Sequence, residues 1–168
     1  MQIPPILAIP LDLIPLSVIE RASRLMLARI AAAHPDLFER LGEHKAKRFA
    51  FVPTDLPLTF LVEPSKATIS VYRKPATVEA DATTEAPLFL LLALMEGRFD
   101  ADALFFSRHL SVTGDMEAML AMRNALDDSD IDLQHDLALL AGPLAPLAGR
   151  VIAEIRGRAL RGETASWS

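Results

Sequence analysis

The sequence predicts an α+β fold: a five-stranded, mainly antiparallel sheet with helices packed on one face, and extra helices at the N- and C-terminal ends. Three observations predict it. The hydrophobic period is helical over residues 16–33, falls to two through the middle third, and returns to helical afterwards. The alternating runs are separated by short gaps holding Pro53, Pro57, Pro64 and Pro75, where a missing ladder donor does no harm. The stretch Pro87 to Met95, PLFLLLALM, is apolar all round, as in a helix buried on most sides.

Residues 1–15 read as an apolar, proline-rich arm. Pro4, Pro5, Pro10 and Pro15 forbid one continuous helix, since each lacks an N–H and clashes with the preceding turn. The arm has neither the basic start nor the cleavage site of a signal peptide. It is expected to pack on the domain or to touch a membrane surface or a partner. N-terminal helices are expected over 16–41. Ile19, Leu25, Met26 and Ile30 recur at helical spacing, His34–Pro35 ends the first helix, and Gly42 stops a short second one.

The core is expected over 45–127. Phe49 and Phe51 alternate, as do Leu58, Phe60 and Val62, then Ile69 and Val71, then Val78, Ala80 and Ala82. Short gaps favour hairpins and antiparallel pairing, with one sheet face covered and the other wet. Thr84 is the expected N-cap of the apolar helix, with Glu85 in its first turn and Gly97 at its end. His109 to Thr113 reads as the fifth strand, ended by Gly114–Asp115, and Asp115 caps a helix over Met116 to Leu126. An acidic loop over 127–132 precedes C-terminal helices over 133–161. With 168 residues and no internal repeat, the whole chain is expected to be one domain.

Composition removes several classes of function. Apolar residues make up 51% and charged residues 23%, which excludes a disordered chain. Cysteine is absent, so there is no disulfide scaffold, thiol nucleophile or iron–sulfur cluster. A net charge of −5 argues against nucleic acid as a partner, because that needs excess Lys and Arg facing phosphates. The four histidines, His34, His44, His109 and His135, show no H-E-x-x-H spacing. Glu79 and Asp81 share one face of an expected strand, a pattern that a wet sheet face produces by itself. The run Asp127, Asp128, Asp130, Asp132 has Leu133 and Leu139 where a calcium loop needs Gly and Glu, so it reads as a solvated loop capping the next helix. Glycine-rich phosphate loops and nucleophile elbows are missing from the sequence.

What remains is a surplus of apolar surface. A half-buried sheet faces an all-apolar helix, next to Phe105–Phe106 and a methionine-rich helix. Methionine adapts to irregular apolar guests. A filled core and a lipid cavity share this composition, and the residues alone leave both open.

The segment Asp102 to Leu126, DALFFSRHLSVTGDMEAMLAMRNAL, resembles the end of a sterol carrier protein type two domain: a strand closing on Gly-Asp, then an apolar helix. With Asp102 to Phe106, Arg108, Leu110, Gly114 and Asp115 it is similar to one subgroup, the UbiT-type accessory factors of bacterial ubiquinone biosynthesis. In element order the resemblance covers most of the chain; its specific part is about Ala101 to Leu126. It implies a sterol-carrier-like core with a hydrophobic cavity between sheet and helices. It implies a non-enzymatic protein without a cofactor that holds an isoprenoid lipid, such as a polyprenyl phenol or quinone intermediate. The implied setting is cytoplasmic, with a peripheral place at the inner membrane. The implied partners are ubiquinone biosynthesis proteins of the oxygen-independent route.

On that reading Leu88, Leu91, Leu92 and Met95 are expected to form one cavity wall, with Phe105, Met116, Met119 and Leu120 as a second. Phe60, Ile69 and Val71 are the expected floor. In the last helix, Val151 and Ile155 on the apolar stripe and Arg150 and Arg158 beside it are the expected membrane or partner contact. Two competing readings belong to other classes. A scaffold that organises biosynthetic enzymes without lipid requires a filled interior, and an enzyme requires a polar cluster in a pocket.

Overall fold

The structure is a computed structural model that describes residues 13–96, 109–132 and 135. Helix α1 spans Leu16–Ala33. Its entry residue is Pro15, which has no N–H to leave unpaired, and His34 before Pro35 closes it. A 3-10 segment over Glu39–Ala46 follows, broken at Gly42. Strands β1 (Phe49–Pro53), β2 (Leu58–Glu63) and β3 (Thr68–Arg73) form an antiparallel meander. Strand β4 is Ala82–Ala86, α2 is Leu88–Met95, β5 is Ser111–Gly114 and α3 is Met116–Asp127.

The sheet has five strands in the order β3-β2-β1-β4-β5. All pairs are antiparallel except β1 with β4, which is parallel. The sheet is thus mainly antiparallel, as expected, and its one parallel pair arises because the chain leaves β3 at one edge and returns on the far side of β1, running in the same direction as β1.

The fourth strand also lies later than the sequence suggests. Residues 78–81 precede it, and Thr83 to Glu85 are strand rather than helix start. Ala82, Thr84 and Ala86 are buried while Glu85 is exposed, so the period of two runs through the expected cap. Entry to α2 is instead marked by Pro87, and the Leu88 N–H donates to Asp55 Oδ1 of the β1–β2 loop at 2.9 Å. Glu79 and Asp81 share no strand face. Asp81 Oδ2 accepts from the Arg48 N–H at 2.7 Å, and Glu79 lies 3.8 Å from the Arg48 guanidinium, so both hold the entry to β1.

The registers place Phe49, Phe51, Phe60, Val62, Ile69, Val71, Ala82, Thr84 and Val112 on one face. Leu27 and Ile30 of α1 and Met119, Met122 and Leu126 of α3 pack into one core with Phe49 and Ala82. The other face is exposed at Tyr72, Glu85, Ser111 and Thr113 but buried at Ala50, Thr59 and Leu61. It is therefore wet only toward its margins. Ala50 is small and stands between Leu61 and Thr83 of the neighbouring strands.

The edge strand β3 is closed by α1. The Val71 N–H donates to Glu20 Oε2 at 3.1 Å, and Arg24 Nε donates to the Ile69 carbonyl at 3.3 Å. Glu20 and Arg24 also pair with each other at 2.7 Å. Two backbone groups that an edge would leave open to another chain are thereby satisfied.

Candidate functional site

Between the helix-bearing face of the sheet and the three helices lies a cavity of about 270 Å³. Its floor is Phe51 and Pro53 of β1, Phe60 and Val62 of β2, and Ile69 of β3. Helix α2 supplies Leu88, Leu91, Leu92 and Met95, spaced three and four apart so that they share a side. Helix α1 supplies Ser23, Met26, Leu27 and Ile30, with Met122, Leu126 and Ile131 beyond them. Ser23 carries the one hydroxyl among these described lining residues, and it donates to the Ile19 carbonyl at 2.9 Å. The wall thus offers dispersion contacts and almost no unsatisfied polarity, which suits an aliphatic guest.

A second cavity of about 220 Å³ lies toward β4 and β5. Met116, Met119 and Leu120 of α3, Leu94 of α2, and Leu110 and Val112 are among its lining. Thr84 and Arg123 are its polar side chains among the described residues. Phe51, Met122 and Leu126 line both cavities and form the partition between them.

The expected wall and floor residues divide between these spaces. Phe60, Ile69, Leu88, Leu91, Leu92 and Met95 face the larger, while Met116, Met119 and Leu120 face the smaller. Met116 and Leu120 are 52% and 54% exposed, so they form its rim rather than its interior. Val71 lies in the same sheet row as Phe60 but is buried outside either lining, close to α1. Phe105, Arg150, Val151, Ile155 and Arg158 lie outside the described residues.

Sequence reasoning missed Phe51, Thr84, Met122 and the whole α1 wall as site residues. The α1 stripe was visible at Met26 and Ile30, but periodicity cannot say whether a stripe meets side chains or a void. Thr84 was hidden by its misassignment as a helix cap.

Helix α3 is fixed at its start. Asp115 Oδ1 accepts from the Ala118 N–H at 3.0 Å, and Lys47 Nζ lies 3.3 Å from Asp115 Oδ2. The backbone bond first, and Lys47 with it, hold the Asp115 carboxyl below the usual carboxylate value, against a smaller contribution of burial in the other direction. In the acidic loop, Asp132 Oδ1 accepts from the His135 N–H at 3.1 Å, the contact of a capping residue. Among the described residues, no three His, Asp or Glu side chains are grouped to hold a metal ion, and no helix is long and apolar enough to cross a membrane.

Residues 27–127 match the family model described as the SCP-2 sterol transfer family. Among curated proteins, none matches the chain in sequence. Solved structures with a similar shape include one titled UbiJ-SCP2 ubiquinone synthesis protein, at 21% identity and TM-score 0.48, covering 79% of this chain and 98% of that one. Another is the sterol carrier protein domain 2 of Helicoverpa armigera, at 14% identity and TM-score 0.48, covering 70% and 92%. A third is the apo form of sterol carrier protein 2 from Yarrowia lipolytica, at 17% identity and TM-score 0.43, covering 63% and 90%.

Proposed function

The chain belongs to the SCP-2 sterol transfer family, and from that premise we propose that it is a non-enzymatic carrier that holds an isoprenoid lipid in its apolar cavities as an accessory factor of ubiquinone biosynthesis. The observation that carries the reading is the larger cavity, bounded by α1, α2, α3 and the sheet, whose described walls present a single hydroxyl that is already bonded. Each methylene of a lipid tail moved from water into such a space gains roughly 0.8 kcal/mol. A scaffold has no use for unfilled space of this kind, so the cavity favours the carrier over a protein that only organises enzymes.

The ubiquinone setting rests on the resemblance of the segment from about Ala101 to Leu126 to the UbiT-type factors. On this reading the cargo is a polyprenyl phenol or quinone intermediate presented to enzymes of the oxygen-independent route. The protein works in the cytoplasm and meets the inner membrane peripherally. Arg150, Val151, Ile155 and Arg158 are the candidate contact with membrane or partner, since their sequence pattern is apolar with a basic flank.

Mass spectrometry of organic extracts tests the reading on protein purified from a quinone-producing cell. A prenylated phenol or quinone enriched over a control protein is the expected result. Phospholipid or fatty acid alone keeps the cavity's lipid role and removes the ubiquinone assignment. Extracts free of any lipid return the scaffold reading.

A further inference from the structure

One row of side chains crosses the whole sheet on its helix-bearing face. The registers set Val71, Phe60, Phe51, Thr84 and Val112 side by side, from β3 to β5. Four of the five are apolar and the fourth in order is a threonine. Thr84 is 2% exposed. Valine has nearly the same shape and is equally at home in a strand, so neither shape nor strand propensity calls for the hydroxyl.

That hydroxyl is poorly partnered. Thr84 Oγ1 donates to Met119 Sδ at 3.2 Å, and a thioether is a weak acceptor. Buried hydroxyls ordinarily find an oxygen or nitrogen partner, and a buried polar group that breaks the local apolar rule points to a functional position. Thr84 lines the smaller cavity. Arg123 also borders that space, with Nε 3.6 Å from Asp127 Oδ2, so its charge is already faced by a carboxylate. The larger cavity contrasts with it, since the Ser23 hydroxyl there is committed to a helix carbonyl. The two spaces meet at Phe51, Met122 and Leu126, and methionine is the most adaptable side chain for such a divide.

We infer that Thr84 is the polar anchor of an amphipathic lipid whose oxygen-bearing head lies in the smaller cavity and whose aliphatic tail lies in the larger. The hydroxyl leaves Met119 Sδ and bonds the head: it donates to a carbonyl oxygen or accepts from a phenol or alcohol. The head class is uncharged. A lone hydroxyl cannot neutralise a carboxylate, and Arg123 already faces Asp127. The inference deepens the proposed lipid-carrier reading and rests on it. It adds the orientation of the guest and a preference for quinone, phenol or alcohol heads over fatty acids.

The experiment uses the full chain and two probes, a short-chain prenyl benzoquinone and a prenyl hydrocarbon of matched length without oxygen, with affinities measured by equilibrium binding. Thr84→Val removes the hydroxyl and keeps the shape. It is expected to weaken the quinone about fivefold, equivalent to about 1 kcal/mol at 1.4 kcal/mol per tenfold, and to leave the hydrocarbon unchanged. Thr84→Ser keeps the hydroxyl and is expected to retain the quinone preference. Equal weakening of both probes by Thr84→Val, no weakening of either, or loss of the preference in Thr84→Ser overturns the anchor while leaving the lipid reading standing. Binding of neither probe by the wild type overturns both.

Discussion

Gly114 stands where β5 turns into α3, and its replacement by alanine is the sharpest test of how closely that turn approaches the start of β4. Its φ is +86°, and a Cβ built on it lies 2.3 Å from the Asp81 carbonyl oxygen and 3.2 Å from Ala82 Cα. Both atoms are main chain and cannot rotate aside. An L residue held at positive φ costs roughly 1–2 kcal/mol. The displaced Asp81 carbonyl also accepts the Asp115 N–H at 2.8 Å, a bond worth about 0.5–1.5 kcal/mol. Gly114→Ala is therefore expected to cost ~1.5–3.5 kcal/mol. At about 2–4 °C per kcal/mol for a chain of this length, the midpoint falls by roughly 3–14 °C. Gly42→Ala is the control. Its φ is +55° but nothing lies within 4 Å of the added Cβ, so it carries the dihedral strain without the collision. Thermal unfolding by circular dichroism, paired with a urea titration, reads both variants. A Gly114→Ala midpoint within about 2 °C of wild type refutes the close-approach argument.

Three further outcomes are expected. Glu20→Ala leaves the Val71 N–H at the sheet edge without its carboxylate, so the urea midpoint falls, by about 1 kcal/mol in free energy, and light scattering shows more self-association. Asp115→Asn keeps a capping oxygen but no titrating charge. The wild-type contact, whose folded pKa is depressed, is fully stabilising above a pH of about 4 and is lost as pH falls through the folded value. The variant's stability, followed by thermal midpoints between neutral and acid pH, therefore changes less over that interval than wild type. Leu92→Trp fills the larger cavity without adding charge and sharply lowers the lipid retained on purification, whereas Leu120→Asp, at a half-exposed rim, leaves most of it; mass spectrometry of extracts compares them.

The fold was legible wherever a single period ran long enough. The α1 stripe with its His34–Pro35 stop, the β1–β2–β3 meander and the Gly114–Asp115 turn into α3 all follow from spacing and local chemistry. The fourth strand misled because ATTEA is mostly small and polar. Ala82 and Ala86 bury little area, and Thr84–Glu85 imitates a helix start. Its parallel pairing with β1 is a long-range choice that no local signal encodes. The site was legible as a set of apolar positions and illegible as a space. Periodicity placed Leu88, Leu91, Leu92 and Met95 on α2, but a residue beside a void and a residue beside another leucine are written identically.

Helix α2 shows why that ambiguity resolves toward a cavity. A helix apolar on every side needs apolar surroundings on every side, and in a sheet-and-helix layer only the side toward the sheet supplies them fully. Leu90 and Leu91 pack with Ala86 and Phe51 of the sheet. Leu88, Leu91, Leu92 and Met95 turn to the larger space, and Leu94 turns to the smaller. The segment thus stands between two apolar voids, and its unbroken apolar run is accounted for by those spaces as much as by what is packed. Leu92 and Leu94 also pack against the core clusters, so a polar residue at either would loosen that packing and place an unpaired group in a cavity wall. The uniform apolarity of α2 thus answers both to the core it packs against and to the two apolar spaces it borders.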